Sequence, residues 1–269
     1  EAQGILAQMY KNGQCVEHDD EKAVYWYTKS AEQGNVFAQC NLGHAYENGI
    51  GIEQDHTLAF QWYKKGAEQG DANAQHVIGK KYLTGIGVPG DDKQAARWFK
   101  KSAEQGNANA ELFLGIAYQV GRGVEQNDQH AFDWFSKSAE QGNADAQVRL
   151  GEAYFLARGV EQDYQQAFTW YSKSAEQGNA DAQLRLGEAY YFGRGVEQDH
   201  KQAFAWYSKS AEQGNARGQF RRGEAHSHGI GIEQDHEQAF TWYKKSADQG
   251  NANAQVEVGY MYEQGLGTK

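Results

Sequence analysis

Arginine and glutamate residues recur at i,i+3 spacing in three places along the chain. These pairs are Arg149 with Glu152, Arg185 with Glu188, and Arg221 with Glu224. Paired carboxyl groups about 5–10 Å apart can hydrolyse glycosidic bonds, provided that one of them retains a proton. An arginine three residues before each glutamate stabilises the ionised carboxylate and so removes the proton donor. We therefore predict no catalytic residue and keep a hydrolytic enzyme only as a remote alternative.

The histidines and glycines give no sign of a metal or phosphate site. His226 and His228 are separated by one residue, so they point to different sides of a helix, whereas zinc ligands on one helix face are spaced i,i+4. The glycine pairs, such as Gly49 and Gly51, join two helices and do not follow a strand as a phosphate-binding loop does. The sequence thus predicts neither a metal nor a cofactor.

The arginine–glutamate pairs have two further interpretations. As intrahelical ion pairs on a solvated face, each would contribute about 0.2–0.5 kcal/mol to stability. With Phe155 and Tyr191 beside them, they would instead form a protein-recognition surface, because arginine and aromatic side chains dominate binding hot spots. The choice between these interpretations depends on the elements that carry the pairs.

Those elements follow a strict internal repeat of 36 residues. All seven tryptophans lie on this period, at Trp26, Trp62, Trp98, Trp134, Trp170, Trp206 and Trp242. Such a period is typical of repeat proteins, in which helix pairs stack to bury a continuous core. Truncation of one central tryptophan is expected to cost about 3–5 kcal/mol, because it would leave a cavity.

Each repeat predicts a first helix, helix A, which the repeat 35–70 illustrates. Asn35 can accept hydrogen bonds from the free amides that open this helix. Apolar residues then recur at helical spacing, namely Ala38, Leu42, Ala45 and Tyr46. The mid-helix Gly43 costs about 1 kcal/mol against alanine, so a neighbouring helix is expected to pack closely against it.

A glycine-containing loop and a second helix, helix B, complete the repeat. Gly49 and Gly51 end helix A, because glycine adopts left-handed conformations readily. Asp55 then caps helix B, which closes at Gly70. The link to the next helix A is so short that neighbouring helices must be antiparallel. Strict repetition therefore predicts an all-α solenoid, a right-handed superhelix of about seven 36-residue antiparallel helix-pair repeats.

We predict one solenoid domain over 1–269. Its repeats are expected at approximately 1–34, 35–70, 71–106, 107–142, 143–178, 179–214 and 215–250, with a partial repeat at 251–269. Ala157 departs from the pattern by replacing a loop glycine, and Arg222 and His226 stand where other repeats have mostly leucine and tyrosine. The repeat that contains Arg222 is expected to be either a degenerate end of the core or a specialised contact surface.

Several positions of the repeat form a specific pattern, which reads Leu42-Gly43, Tyr46, Gly49-x-Gly51, Asp55, Ala59, Trp62-Tyr63, Lys65 and Ala67-Glu68-x-Gly70. This pattern resembles the Sel1-like repeat, a relative of the tetratricopeptide repeat, over essentially the whole chain. The resemblance implies an adaptor that binds a protein partner, such as an effector, envelope or signalling component. The alternative that it implies is an immunity or inhibitor protein, which would neutralise a secreted bacterial effector such as a phospholipase by covering it.

Helix A also predicts where the partner binds. Its side opposite the buried residues is expected to face the concave surface of the solenoid, and the residues there change from repeat to repeat. The predicted partner-binding residues are His44, Lys80, Phe113, Ile116, Arg149, Glu152, Phe155, Leu156, Arg185, Glu188, Tyr191, Phe192, Arg221, Glu224, His228 and Tyr260. The earlier repeats differ from the later ones, so the groove is expected to have two chemically distinct ends.

Composition narrows the partner and the compartment. The formal net charge of −10 opposes nucleic-acid binding, since phosphates select basic surfaces, and it would suit inhibition of a basic toxin. No apolar run reaches the roughly 18 residues that predict a membrane span. A start without Met is compatible with a removed signal, so a periplasmic or secreted location is expected ahead of a cytoplasmic one.

Cys15 and Cys40 are too few for a disulfide framework, and Cys40 is expected to act as a small buried hydrophobe.

Overall fold

The computed structural model describes residues 2–267, and the regular secondary structure in this range is entirely α-helical. The helices are α1 (Ala2–Asn12), α2 (Asp20–Glu32), α3 (Val36–Asn48), α4 (His56–Glu68), α5 (Ala72–Thr84), α6 (Asp92–Ala103), α7 (Ala108–Val120), α8 (Asp128–Glu140), α9 (Ala144–Leu156), α10 (Tyr164–Glu176), α11 (Ala180–Phe192), α12 (His200–Glu212), α13 (Ala216–His228), α14 (His236–Asp248) and α15 (Ala252–Gln264). Odd-numbered helices correspond to helix A and even-numbered ones to helix B. The predicted all-α class of repeated helix pairs is confirmed.

The chain divides into two compact halves, which we call the N-terminal half (Glu1–Trp134) and the C-terminal half (Phe135–Lys269). In the N-terminal half, each helix from α1 to α6 packs against the next one along the chain. In the C-terminal half, the same holds from α9 to α14. Each half is therefore a solenoid array in which a helix contacts its sequence neighbours.

Side-chain caps and left-handed residues delimit the helices as the pattern predicts. The Asn35 side chain accepts a hydrogen bond from the amide of Ala38 at 2.8 Å, and Asp55 accepts from the amide of Leu58 at 2.9 Å. Helix A ends at a left-handed residue, as at Gly49 with φ 68°. The same position in a later repeat is Ala157, whose φ of 56° places an L side chain in the left-handed region.

The second loop glycine has a reason that the sequence pattern did not reveal. A Cβ atom on Gly51 would overlap the backbone carbonyl of Asp20, in the first turn of the preceding helix B. A Cβ atom on Gly195 would overlap the carbonyl of Tyr164 in the same way. Each of these loops therefore touches backbone at the start of a neighbouring helix, and only glycine leaves enough room.

The core centres on the aromatic residue after each tryptophan. A Cβ atom on the mid-helix Gly151 would lie 2.6 Å from the ring of Tyr171, which confirms that a helix packs closely against this glycine. Tyr171 is buried, whereas Trp170 is only half-buried, with the Lys173 ammonium 4.0 Å from the centre of its ring. In this repeat the larger cavity cost is therefore expected of the tyrosine, because Trp170 is covered in part by a flexible lysine side chain, whereas Trp98 is itself buried in the core.

Buried polar side chains tie successive helix pairs together. The Gln177 side-chain amide donates to Gln147 Oε1 at 2.8 Å, and Gln147 in turn donates to the carbonyl of Ala139 at 3.2 Å. The Ser174 hydroxyl donates to the carbonyl of Ala144 at 2.8 Å. Because unpaired polar groups in a core are costly, this network fixes the alignment of one repeat on the next.

Arg222 and His226 belong to the packing between helices. His226 is buried and makes an edge contact with the ring of Phe204, with ring centroids 5.3 Å apart. The Arg222 guanidinium lies 4.1 Å from the ring centre of Trp242 and pairs with Glu212 at 2.8 Å. Both side chains therefore contribute to the packing of their repeat.

Both cysteines are free thiols. Cys15 is exposed, while Cys40 is half-buried among the apolar residues of the core and burial raises the pKa of its thiol to about 12. A thiol with so high a pKa is inert at neutral pH, which agrees with the expected role of Cys40 as a small hydrophobe.

Candidate protein-binding site

Three helices A of the C-terminal half, α9, α11 and α13, present the predicted arginine–glutamate pairs on one face. Within α9, Arg149 Nη1 lies 3.2 Å from Glu152 Oε2. The equivalent distances are 3.3 Å for Arg185 and Glu188 in α11 and 2.7 Å for Arg221 and Glu224 in α13. All three i,i+3 ion pairs are therefore formed.

Additional ion pairs join these helices to one another. Arg185 Nη2 lies 2.7 Å from Glu152 Oε1, and Arg221 Nη2 lies 3.4 Å from Glu188 Oε1. Arginines and glutamates thus alternate without interruption across three repeats. We call the set Arg149, Glu152, Arg185, Glu188, Arg221 and Glu224 the Arg/Glu ladder.

The charges of the ladder shift the pKa values of a buried tyrosine beside it and of a ladder arginine. Burial, together with the charges of Glu152 and Glu188, raises the pKa of Tyr171 well above its usual value. Burial alone would lower the pKa of Arg185, but the charges of Glu152 and Glu188 hold it above its usual value. The ladder arginines are therefore fixed cations, and each ladder carboxylate contacts at least one of them.

Two pockets open beside the ladder, and they occupy equivalent places one repeat apart. The first pocket has a volume of about 170 Å³ and is lined by Phe155, Tyr164, Ala167, Phe168, Tyr171, Arg185, Glu188, Ala189, Phe192, Arg194 and Arg217. The second pocket has a volume of about 290 Å³ and is lined by Tyr191, Tyr207, Arg221, Glu224, Ala225, His228 and Ile230. Each pocket therefore lies between two successive helices A, with the tyrosine of the intervening helix B in its lining.

Each remaining predicted residue of the C-terminal half either lines a pocket or is exposed. Phe155 lines the first pocket and Tyr191 lines the second. Leu156 and Phe192 are exposed at the ends of α9 and α11, with 49% and 47% of their surface accessible. Tyr260 is 53% exposed on α15. The structure thus leaves large apolar side chains uncovered next to charged ones.

The predicted residues of the N-terminal half have a different setting. His44 and Lys80 are exposed, and Ile116 is half-buried. Phe113 stacks on the core residue Phe99, with ring centroids 5.1 Å apart, so it is held as part of the packing. The corresponding pocket there measures only about 20 Å³, and its lining includes Lys11, Asp20, Asn41 and His44.

Sequence reasoning missed several pocket residues, above all Arg194 and Arg217. Arg194 lies in the loop after α11, and its guanidinium lies 4.7 Å from the ring centre of Phe192 and 5.3 Å from that of Phe155. Arg217 lies in the first turn of α13 and pairs with Glu188 at 3.3 Å. Both fall outside the helix A stripe, but repeat alignment places Ile50 and Ile230 at the position of Arg194, a variation that could have indicated its importance.

Within 2–267, no three histidine, cysteine or carboxylate side chains are grouped so that they could hold a metal ion. None of the helices in the described part of the chain is both long enough and apolar enough to cross a membrane.

Repeated helix pairs with constant core columns define an α-solenoid. The family model of the Sel1 repeat matches the chain throughout, at residues 1–35, 36–71, 72–107, 108–143, 144–179, 180–215, 216–251 and 252–269. The chain belongs to the Sel1 repeat family.

Solved structures of this family resemble the chain closely. A protective antigen of uropathogenic Escherichia coli strains with the same fold is 41% identical, with a TM-score of 0.89. The match covers 98% of this chain but only 56% of the E. coli protein, so this chain spans little more than half the length of that relative. A Sel1 repeat protein from Oxalobacter formigenes is 35% identical, with a TM-score of 0.79 and a match that covers 97% of this chain and 75% of the other.

No functionally curated protein sequence matches the chain.

Proposed function

We propose that this chain is a non-catalytic binding module that holds a protein partner on the helix A face of its C-terminal half. The observation that carries the proposal is the Arg/Glu ladder, which runs across three repeats beside two open pockets. Arginine and aromatic residues concentrated around a pocket are the composition of binding hot spots. Core columns repeat almost unchanged along the chain, whereas this face differs between the two halves, since Asn41 and His44 occupy the positions of Arg149 and Glu152.

Pre-organisation favours this surface as a binding site. The Glu152 and Glu188 side chains are only 18% and 16% exposed, and each contacts arginines from two repeats. Their rotamers are therefore restricted before a partner arrives, which lowers the entropy that binding must overcome. A set of isolated surface ion pairs would contribute little and would not be held in this way.

Affinity capture from the native host, followed by mass spectrometry, identifies the partner. The affinity of that partner is then measured for the triple variant Arg149→Glu, Arg185→Glu and Arg221→Glu. Reversal of three cations on one face should weaken binding by at least about tenfold, because like charges at an interface are strongly unfavourable.

The matched control reverses three cations elsewhere on the same half. Lys173, Lys209 and Lys245 each lie over a tryptophan ring, at about 4 Å. Their triple reversal to Glu changes the net charge equally and should leave binding intact. Equal binding by the folded ladder variant and the wild type would contradict the proposal.

A second candidate is an immunity or inhibitor protein that covers a secreted toxin. The net charge of −10 favours it, because an acidic surface speeds association with a basic toxin. Such a role predicts rescue of cells that express the toxin encoded beside this chain's gene, and the same rescue should be lost with the ladder triple variant. Absence of a toxin among the captured partners would leave the adaptor role as the better account.

A further inference from the structure

The first pocket combines an apolar interior with an excess of cations. Phe155, Phe168 and Phe192 supply aromatic surface, and Ala167 and Ala189 leave space between them. A cavity of about 150 Å³ with an apolar lining holds a benzene molecule. The pocket volume of about 170 Å³ is therefore sufficient for one aromatic or branched aliphatic side chain.

The cation at its edge, Arg194, is not neutralised by a carboxylate. In the N-terminal half the equivalent residue is Arg122, which pairs with Asp92 at 2.7 Å. At the position of Asp92, the first pocket has Tyr164. Among residues 2–267, Arg194 has no carboxylate within salt-bridge distance, and it contacts the rings of Phe155, Tyr164 and Phe192 instead.

The one carboxylate that lines this pocket is already engaged. Glu188 contacts Arg185 at 3.3 Å, Arg217 at 3.3 Å and Arg221 at 3.4 Å. Three of the residues lining the pocket are arginines and one is a glutamate, so the lining carries an excess of two positive charges. A ligand that supplies a carboxylate would find a cation without an internal partner.

The second pocket provides a natural comparison. There Ile230 occupies the position of Arg194, and His228 occupies that of Phe192. Its charged residues, Arg221 and Glu224, are paired with each other at 2.7 Å. The unpaired cation and the aromatic edge are thus confined to the first pocket.

We propose that the first pocket binds an acidic segment of the protein partner by taking up one large apolar side chain while Arg194 pairs with a neighbouring aspartate or glutamate. This inference rests on the proposed binding function and specifies its partner chemistry. Stacking on three rings holds the Arg194 guanidinium in place, so a carboxylate can bind it without a large loss of side-chain freedom. The apolar anchor provides most of the affinity, and Arg194 provides the preference for acidic neighbours.

The test starts from a phage-displayed library of random peptides, selected on the immobilised full chain. Wild-type protein should enrich peptides in which aspartate or glutamate lies within two residues of a large apolar side chain. The variant Arg194→Ile, which copies Ile230, should keep the apolar enrichment and lose the acidic one. The variant Arg122→Ile removes an equivalent arginine that is already paired, and it should select the same peptides as the wild type.

Synthetic versions of one selected peptide then give the magnitudes by fluorescence anisotropy. Replacement of its acidic residue by the corresponding amide should weaken binding to the wild type about three- to tenfold and should have no effect on Arg194→Ile. Replacement of its apolar anchor by alanine should weaken binding to both proteins by at least about tenfold. Phe192→Thr, which copies the equivalent Thr84, should weaken the anchor's contribution in either background.

Two outcomes would overturn the inference. One is a selection without acidic enrichment, and the other is an acid-to-amide effect of equal size on the wild type and on Arg194→Ile. If either occurs while the ladder triple variant still loses the native partner, only the pocket chemistry is wrong. If the ladder triple variant also keeps the partner, the proposed binding face is wrong as well.

Discussion

The two halves of the chain carry different chemistry at equivalent positions of the same repeat. In the C-terminal half, Phe155 and Ala189 line an open pocket. The equivalent residues in the N-terminal half are Glu47 and Lys81, which form an ion pair at 2.9 Å with the Lys81 side chain only 4% exposed. A long charged side chain thus fills the space that an alanine leaves open. Alanine is the usual residue at this position, and Ala45 lines a pocket of only about 20 Å³. The halves therefore differ through the whole lining of each pocket and not through one residue.

The largest expected effect concerns the column of buried tyrosine and phenylalanine rings that both halves share. Tyr207→Ala in the C-terminal half and Phe99→Ala in the N-terminal half should each lower the free energy of unfolding by about 3–5 kcal/mol, because each removes a buried ring. Trp206→Ala should cost less, since Trp206 is half-buried. Urea unfolding followed by circular dichroism measures all three. A Trp206 effect larger than that of Tyr207 would contradict the assignment of the core.

The next effect tests the ion pair that distinguishes the halves. Glu47→Ala should destabilise the N-terminal half by about 2–3 kcal/mol, because it leaves the buried ammonium of Lys81 without its partner. The double variant Glu47→Phe and Lys81→Ala copies the pair Phe155 and Ala189, and it should recover most of the loss while opening a pocket. Hydrogen exchange of α3 and α5 amides resolves the local stability. An unchanged exchange rate in Glu47→Ala would show that the pair contributes nothing.

Buried histidines should make the stability of both halves depend on pH, since burial also lowers the pKa of His226 in the C-terminal half. Burial, with a smaller contribution from Lys80, lowers the pKa of His76 from 6.5 to about 4. Between pH 6.5 and pH 4 the His76 imidazole is therefore protonated in the unfolded chain but neutral in the folded state. The free energy of unfolding is highest above pH 6.5 and decreases as the pH falls toward 4. The expected loss from this histidine is about 1–2 kcal/mol at pH 5.

The control for this pH dependence lies in the repeat itself. Leu112 and Leu184 occupy the equivalent position in other repeats, so His76→Leu should fold and should flatten the pH dependence of the N-terminal half. The measurement is urea unfolding between pH 7 and pH 5. A His76→Leu variant that loses as much stability as the wild type over this range would assign the effect to other groups.

The smallest expected effect on stability comes from backbone strain in the loop after helix A. Ala157 adopts the left-handed conformation that Gly193 adopts one repeat later. Ala157→Gly should raise the free energy of unfolding by about 1 kcal/mol, and Gly193→Ala should lower it by a similar amount, because an L side chain is strained at positive φ. Thermal unfolding of both variants checks the pair. Destabilisation by Ala157→Gly would show that the alanine side chain makes a contact worth more than the strain.

Much of the fold could be predicted from the sequence because its determinants are local and repeated. Asn35 and Asp55 cap helices that begin at the next residue, and Gly49 ends one, so a single repeat contains the information. The burial of Tyr171 over Trp170 could not be predicted in this way. Both lie on helix B at neighbouring positions, and only the packing of α10 against α9 and α11 decides which of them is buried.

The candidate site was predicted in part. The i,i+3 ion pairs, such as that of Arg185 with Glu188, follow from helix geometry alone. The pair of Arg185 with Glu152 joins residues 33 apart, and it depends on how two helices lie side by side. Arg194 was missed because its role depends on a loop conformation and on the absence of an acidic residue at Tyr164, which periodicity of the helices does not describe.

The central claim is that the partner contacts the helix A face of the C-terminal half. Site-specific photo-crosslinking tests it most directly, with a benzophenone amino acid placed in turn at the exposed Leu156 and Phe192 and at the exposed Gln202 of α12. Irradiation of each variant bound to the captured partner, followed by mass spectrometry, identifies the contacts. The account predicts crosslinks from Leu156 and Phe192 and none from Gln202, and crosslinks from Gln202 alone would contradict it.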